Sequence, residues 1–340
     1  MGNERELFFS RTYEWLESYL PKQAGRSLET VRSYRDSLSV FRRYVRDELG
    51  RGVSEFTFGE CGRDCVLGFV EHMKAAGLSA STCNQRVAAI KSYLWYAADA
   101  DVAVTSIAIS VGRIPRVKGP QRMKENLSED ALRAILSAPD TATMIGMRDA
   151  AMLTLLYDTG IRLSELTGLT VGDVSTGGDM PCIYVLGKGD RERVVGLSDA
   201  TVALVERHIA VSHGPNPLKS DHVFYTKAKG GRQRMSPSNV ERIVQKYADA
   251  ARGTCPEIPA KVYPHMYRRT RATDLYQEGV DLPLVSRMLG HASMETTKVY
   301  AKPSIEMLRE AIASVAPSVE VEKPVWKGNE EEMARLCGLR

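Results

Sequence analysis

Arginine, histidine and tyrosine crowd into one stretch of the chain, Tyr263 to Pro303, which reads YPHMYRRTRATDLYQEGVDLPLVSRMLGHASMETTKVYAKP. His265 and Arg268 stand three apart, His291 closes a Leu-Gly-His tripeptide, and Tyr300 follows nine residues later. Upstream, TGIRLSEL carries Arg162 and Glu165, and GKGDRER carries Lys188. These side chains suit chemistry at a phosphodiester. Its negative charge repels nucleophiles and its transition state spreads charge over equatorial oxygens, so positioned cations are the main requirement. A guanidinium stays charged and forks onto two phosphate oxygens, which a lysine cannot copy. Arg162 falls at a predicted helix start, where a cation is unfavourable unless an anion is held at the same N-terminus. Taken singly, each residue has a plain structural reading: a satisfied core histidine, a buried tyrosine or a surface ion.

Taken in order and with their spacing, the five pieces resemble the tyrosine recombinase, or phage integrase, family, of the Xer and Cre type. The resemblance covers the second half of the chain. The first hundred residues match the family's core-binding domain in length and helix count rather than by a motif. The resemblance implies a catalytic set of Arg162, Lys188, His265, Arg268, His291 and Tyr300, with Glu165 supporting it. Tyr300 would attack the scissile phosphorus in line, leaving a 3′-phosphotyrosyl bond and a free 5′-hydroxyl, so the bond energy is kept for rejoining and no cofactor is needed. Lys188 is implied as the general acid for the departing oxygen, His265 as an acid/base near Tyr300, and His291 as a donor to the phosphate. Glu165 either orients catalytic side chains or is an ordinary surface carboxylate. Relatives often continue the His-x-x-Arg motif with His where this chain has Arg269. That leaves Arg269 and Arg271 as DNA contacts or members of a local ion-pair network. In agreement with cofactor-free transfer, the sequence holds no Walker phosphate loop and no carboxylates spaced for two metals.

The elements that must position these groups are mainly α with a small β-sheet: an N-terminal four-helix core-binding, SAM-like domain and a mixed α/β catalytic domain. The expected division is residues 1–111 for the first, 112–124 for a basic Gly- and Pro-containing linker, 125–316 for the second, and 317–340 for a connector and final helix. Helices are predicted over 7–20, 28–49, from the Thr57-x-x-Glu60 capping box to 75, and over 81–98. In the second, Val31, Tyr34, Leu38, Phe41 and Val45 recur at three and four after Ser27 as cap. Further on, helices are predicted over 128–136, 148–157 with Gly160 as stop, a short one from Arg162, then 200–211, 237–251, 269–278, 283–289 and 304–315. Between them the period turns to two, and the runs 182–187 and 191–196 read as a hairpin with Lys188 at its turn.

Candidate DNA contacts lie outside the catalytic set. Val87, Ile90, Leu94 and Ala97 form a buried stripe that leaves Arg86 and Lys91 on exposed or edge positions. Lys227, Lys229, Arg232 and Arg234 sit in KAKGGRQRM, a flexible basic loop or a merely solvated one, ahead of a helix capped by Ser236 with Pro237 at its first position. The expected partners are double-stranded DNA with specific core sites, and further copies of the chain as dimer and tetramer on that DNA. In the last segment Met333, Leu336 and Cys337 fall on one face, which predicts docking onto a neighbouring protomer.

Composition sets the bounds. Forty-six basic against 42 acidic residues give a formal charge of +4, which permits nucleic-acid binding without arguing for it, and 43% hydrophobic content is that of an ordinary globular protein. No apolar run approaches the roughly 20 residues needed to span a bilayer, and the first residues lack a signal peptide's apolar core, so a cytoplasmic protein is expected. The six cysteines are scattered, which points to reduced thiols. Only Cys61 and Cys65 are close, and without a second pair at metal spacing no zinc site is expected. Two alternatives remain open. One is a different task for the same chemistry: integration, excision or inversion of a mobile element, chromosome-dimer resolution of the Xer kind, or DNA relaxation by a type IB topoisomerase. The other is a catalytically inactive DNA-binding regulator that keeps the fold.

Overall fold

A computed structural model of the chain describes residues 6–120, 125–187, 192–228, 230–290, 297, 309 and 330–339. It divides into two units, residues 1–123 and 124–340.

In the first unit, α1 (Thr12–Glu14) runs straight into a π-helical stretch, Trp15–Gln23. Pro21 inside that stretch has no N–H to give, and the wider winding ends with Ala24 N–H bonded to the Tyr19 carbonyl at 2.8 Å. Next come α2 (Leu28–Asp47), α3 (Arg63–Ala75), α4 (Ala80–Ala100) and α5 (Val102–Gly112). Ser27 caps α2 as predicted, its hydroxyl accepting from Thr30 N–H at 3.3 Å. Val31, Leu38, Phe41 and Val45 of its stripe are buried, and Tyr34 stacks on Trp15. Phe8, Phe41, Phe56, Phe58, Phe69 and Tyr93 complete an aromatic core, in which the Tyr93 hydroxyl donates to the Phe8 carbonyl.

Two expectations for this unit change. Glu60 does accept from Thr57 N–H at 2.9 Å and from its hydroxyl at 3.0 Å, but these contacts close a turn; α3 starts at Arg63 behind Gly62. A fifth helix, α5, follows α4 after a single residue. Asp101 breaks α4 with an extended backbone and caps α5 by accepting from Ala103 N–H at 2.9 Å.

The second unit holds α6 (Glu129–Ser137), α7 (Met144–Thr159), α8 (Leu163–Gly168), α9 (Asp199–His213), α10 (Pro237–Ala251), α11 (Pro264–Gln277) and α12 (Leu282–Leu289). Ser236 caps α10 and Pro237 opens it as predicted, and Ser128, expected as the first helical residue, caps α6. Strands β1 (Val174–Ser175), β2 (Cys182–Leu186) and β3 (Glu192–Gly196) form an antiparallel sheet in that order, with Val185 opposite Arg193. The turn that would carry Lys188 lies outside the described residues. The basic stretch expected as a flexible loop is instead a second hairpin, β4 (Tyr225–Ala228) and β5 (Gly231–Arg234), turning at Gly230 with φ +77°. The core runs through α6, α7, α10 and α11 under the inward residues Ile183, Val185 and Val195 of the sheet. A helix at Glu330–Leu336 stands where the final one was predicted, with Met333, Leu336 and Leu339 exposed, and the helix predicted over 304–315 lies outside the described residues. No described helix is long and apolar enough to cross a membrane.

Candidate active site

Two glycines fix the ends of the helices that frame the site. Gly160 ends α7 at φ +57°, where a Cβ would come within 2.8 Å of the Leu289 side chain. Gly290 ends α12 at φ +63°, where a Cβ would meet the Arg193 guanidinium at 2.9 Å. Both positions combine a left-handed backbone with a close approach, and only glycine suits that combination.

A helix C-terminus leaves carbonyls without intrahelical partners and carries partial negative charge. At the end of α12, three successive carbonyls are taken by three arginines. Met288 accepts from Arg193 Nε at 2.9 Å, Leu289 from Arg268 Nη2 at 2.5 Å, and Gly290 from Arg162 Nη2 at 2.7 Å. Arg268 also donates through Nη1 to the Gly160 carbonyl at 2.6 Å, which joins the ends of α7 and α12. His291, the residue after this clamp, lies outside the described residues, as do Lys188 and Tyr300.

Glu165 is the anion at the centre. As the third residue of α8 it accepts from the Arg162 backbone N–H at 2.7 Å, from Arg162 Nη1 at 2.8 Å, and from Arg193 Nη1 and Nη2 at 3.0 and 2.7 Å. With its side chain only 5% exposed, it is no ordinary surface carboxylate. Burial pushes its carboxyl up, but the Arg193 hydrogen bonds, the Arg162 amide and the two positive charges outweigh that and hold it down at about 2. Arg162 keeps 37% of its side chain exposed, whereas Arg268 is 2% exposed. His265 is exposed on the first turn of α11, three residues before Arg268 on the same helix.

Other expected residues find different places. Arg271 donates to the Asp158 backbone and carboxylate and lies over the Tyr157 ring, and Arg269 is buried with Nε on Asn126. Both therefore belong to local networks. Arg234 donates to the Ser164 carbonyl at 2.9 Å and the Thr167 hydroxyl at 2.8 Å, pinning α8 behind Arg162. Arg232 pairs with Asp221 and lies over the Tyr225 ring, while Lys227 is exposed on β4 and Lys229 lies outside the described residues. In the first unit, the Lys91 ammonium donates to the Gly112 and Ile114 carbonyls at 3.0 and 2.7 Å, closing the end of α5; Arg86 is half-buried on α4. Sequence reasoning passed over Arg193. The available signal was its parity with Val195, which puts a charged residue on the inward face of β3.

Residues 125–307 match the phage integrase family, and residues 14–101 match its N-terminal SAM-like domain. The chain is 32% identical over 305 residues to tyrosine recombinase XerC of Corynebacterium efficiens, covering 88% of this chain and 89% of that one. It is 28% identical over 312 residues to tyrosine recombinase XerA of Pyrococcus horikoshii, covering 92% and 96%. In fold it is similar to the XerH site-specific recombinase bound to a palindromic difH substrate, with a TM-score of 0.67 at 24% identity over 88% of this chain and 83% of that one. The chain belongs to the phage integrase family of tyrosine recombinases. It is a DNA strand-transferring enzyme of site-specific recombination.

The state of Glu165 gives a pH test. Its folded pKa of about 2 lies below the ordinary 4.5, so its contribution to stability is complete above pH 4.5 and disappears as pH falls through about 2. Urea unfolding of wild type and Glu165→Gln should differ by about 3 kcal/mol at neutral pH, with the gap closing across that acid window. A gap independent of pH would show that the carboxylate is not held by the arginines.

Proposed function

We propose that the site cuts and rejoins DNA through Tyr300, with Arg162 and Arg268 holding the scissile phosphate. The observation that carries this reading is the convergence of three arginines on one helix end. Among the described residues Arg162, Arg193 and Arg268 converge on the end of α12, and Glu165 is hydrogen-bonded to the first two. Arg162 keeps 37% of its side chain exposed, and a guanidinium there can fork onto the anionic oxygens of a phosphodiester. Arg162, the more exposed of the two, meets the phosphate first, and Arg268 braces it from beneath.

In the reaction, the Tyr300 oxygen forms a bond to phosphorus as the bond from phosphorus to the 5′ oxygen breaks. The phenolic proton leaves toward His265, and Lys188 gives a proton to the departing oxygen. His291 donates to a non-bridging oxygen. Reversal with a new 5′-hydroxyl completes strand exchange without a cofactor. The substrate is double-stranded DNA carrying short inverted core sites. Arg86 in the first unit and Lys227 and Lys229 in the second are further candidate DNA contacts, while Lys91, Arg232 and Arg234 act chiefly by shaping their own units. The task we propose is integration, excision or inversion of a mobile element, and similarity to the XerC and XerA relatives supports Xer-type resolution of chromosome dimers as the second reading.

Incubation with fragmented source DNA should yield denaturant-resistant protein–DNA adducts with wild type and none with Tyr300→Phe, the recurring fragments giving the core site. Adducts that persist in the variant would assign the nucleophile elsewhere. The absence of adducts with wild type would favour the DNA-binding regulator. The exposed apolar residues Met333, Leu336 and Leu339 of the terminal segment suit docking onto a second copy in a DNA-bound tetramer. Deleting residues 329–340 should then leave binding of one copy to a half-site intact and weaken assembly of two or more copies, as read by gel shift. Unchanged assembly would remove that role.

A further inference from the structure

Arg193 has no part in the chemistry above, yet it touches Glu165 on α8 and both Met288 and Gly290 at the end of α12. Strand alternation turns it inward beside Val195, and its side chain is 12% exposed. Nη1 and Nη2 grip both oxygens of Glu165, while Nε holds the Met288 carbonyl at 2.9 Å. A planar fork with five donors can span a carboxylate and a carbonyl at once, which an ammonium cannot do with the same fixed geometry. Gly290 packs against the same guanidinium so closely that a Cβ there would sit 2.9–3.1 Å from three of its atoms. The backbone at the end of α12 is therefore shaped around this side chain.

We propose that Arg193 is the positioning residue of the active site, locking β3, Glu165 and the end of α12 into one unit so that Arg162 and the chain entering His291 stay in register. This rests on the recombinase reading of the same site. Arg193 lies five residues after Lys188 on the strand leaving that turn, so the same anchor ties the lysine's hairpin to the phosphate-binding arginines. The charged groups facing Glu165 among the described residues are Arg162 on its own helix and Arg193 on β3; α12 presents only backbone carbonyls to these two arginines. Without Arg193, Glu165 keeps its burial and loses a bidentate partner. Its carboxyl then protonates at a higher pH and its grip on Arg162 slackens.

The test uses the full chain, a duplex copied from a fragment captured by the wild-type protein, and the variants Arg193→Met and Arg193→Lys. Measured for each are the thermal midpoint, affinity for the duplex, and the single-turnover rate of covalent adduct formation from pH 4 to 9. At neutral pH Arg193→Met should bind the duplex as wild type does and form adduct about 100-fold more slowly, the loss that a misplacement of roughly 1 Å produces. Its rate should also fall off at a higher pH on the acid side than wild type. Arg193→Lys should move that acid limb back toward wild type by restoring the charge, and recover only part of the rate because the fork is lost. Wild-type rate and pH profile in Arg193→Met would overturn the proposal. So would a slower rate explained wholly by lost affinity, or a rate restored fully by lysine. Should the methionine variant fail to fold, the lysine variant alone decides, since full activity there contradicts a role for fork geometry. Failure of the wild-type protein to form any adduct would instead sink the recombinase reading.

Discussion

The end of a short helix, α12, is where the catalytic unit is held together. Its last carbonyls have no partners within the helix, and Arg162, Arg193 and Arg268 come from three other elements to take one each. Each guanidinium has donors to spare for a second bond. Arg268 uses one on the end of α7, and Arg162 and Arg193 share Glu165. Hydrogen bonding to a helix C-terminus offsets part of the cost of burying the cations, because the carbonyl dipoles point their negative ends at them. It does not neutralise them. Glu165 answers two of them, Arg162 and Arg193, through hydrogen bonds to both of its oxygens.

This arrangement explains why glycine stands immediately ahead of two catalytic segments. Gly160 turns the chain out of α7 two residues before Arg162 and presents its carbonyl to Arg268; Gly290 turns the chain out of α12 one residue before His291 and leaves room for Arg193. Alanine at either position would meet both a left-handed backbone and a steric clash. The second hairpin serves the same end, since Arg234 on β5 holds the far side of α8 through Ser164 and Thr167. The geometry at the end of α12 thus depends on Arg193, and that of α8 on Arg234, as well as on the arginines of the sequence motifs.

Much of this was legible in the sequence where a local rule decides the outcome. Ser27 and Ser236 cap helices because their hydroxyls can reach a backbone N–H, and Gly160 stops α7 because it accepts a left-handed backbone. The β2–β3 pairing followed from alternation and its turn residues. Elements governed by longer-range contacts were harder to read. The β-branched run of α5 does not advertise a helix, and its one signal, Asp101 as cap, lies hidden at the end of α4. Thr57 and Glu60 show a capping pattern that closes a turn instead. Among charged residues, spacing in sequence cannot tell an arginine that meets DNA from one folded back onto its own domain, as Arg234, Arg269 and Arg271 are. Arg193 was overlooked for that reason, although strand parity marked it.

The arginines gathered at the end of α12 are the proposed seat of the scissile phosphate. A crystal structure of the Tyr300→Phe protein on a captured core site tests this most directly, by locating that phosphate. The account predicts its non-bridging oxygens within hydrogen-bond distance of both Arg162 and Arg268, with Glu165 still gripped by Arg193. A phosphate seated away from Arg162, or a Glu165 released from Arg193 to face the DNA, would contradict it.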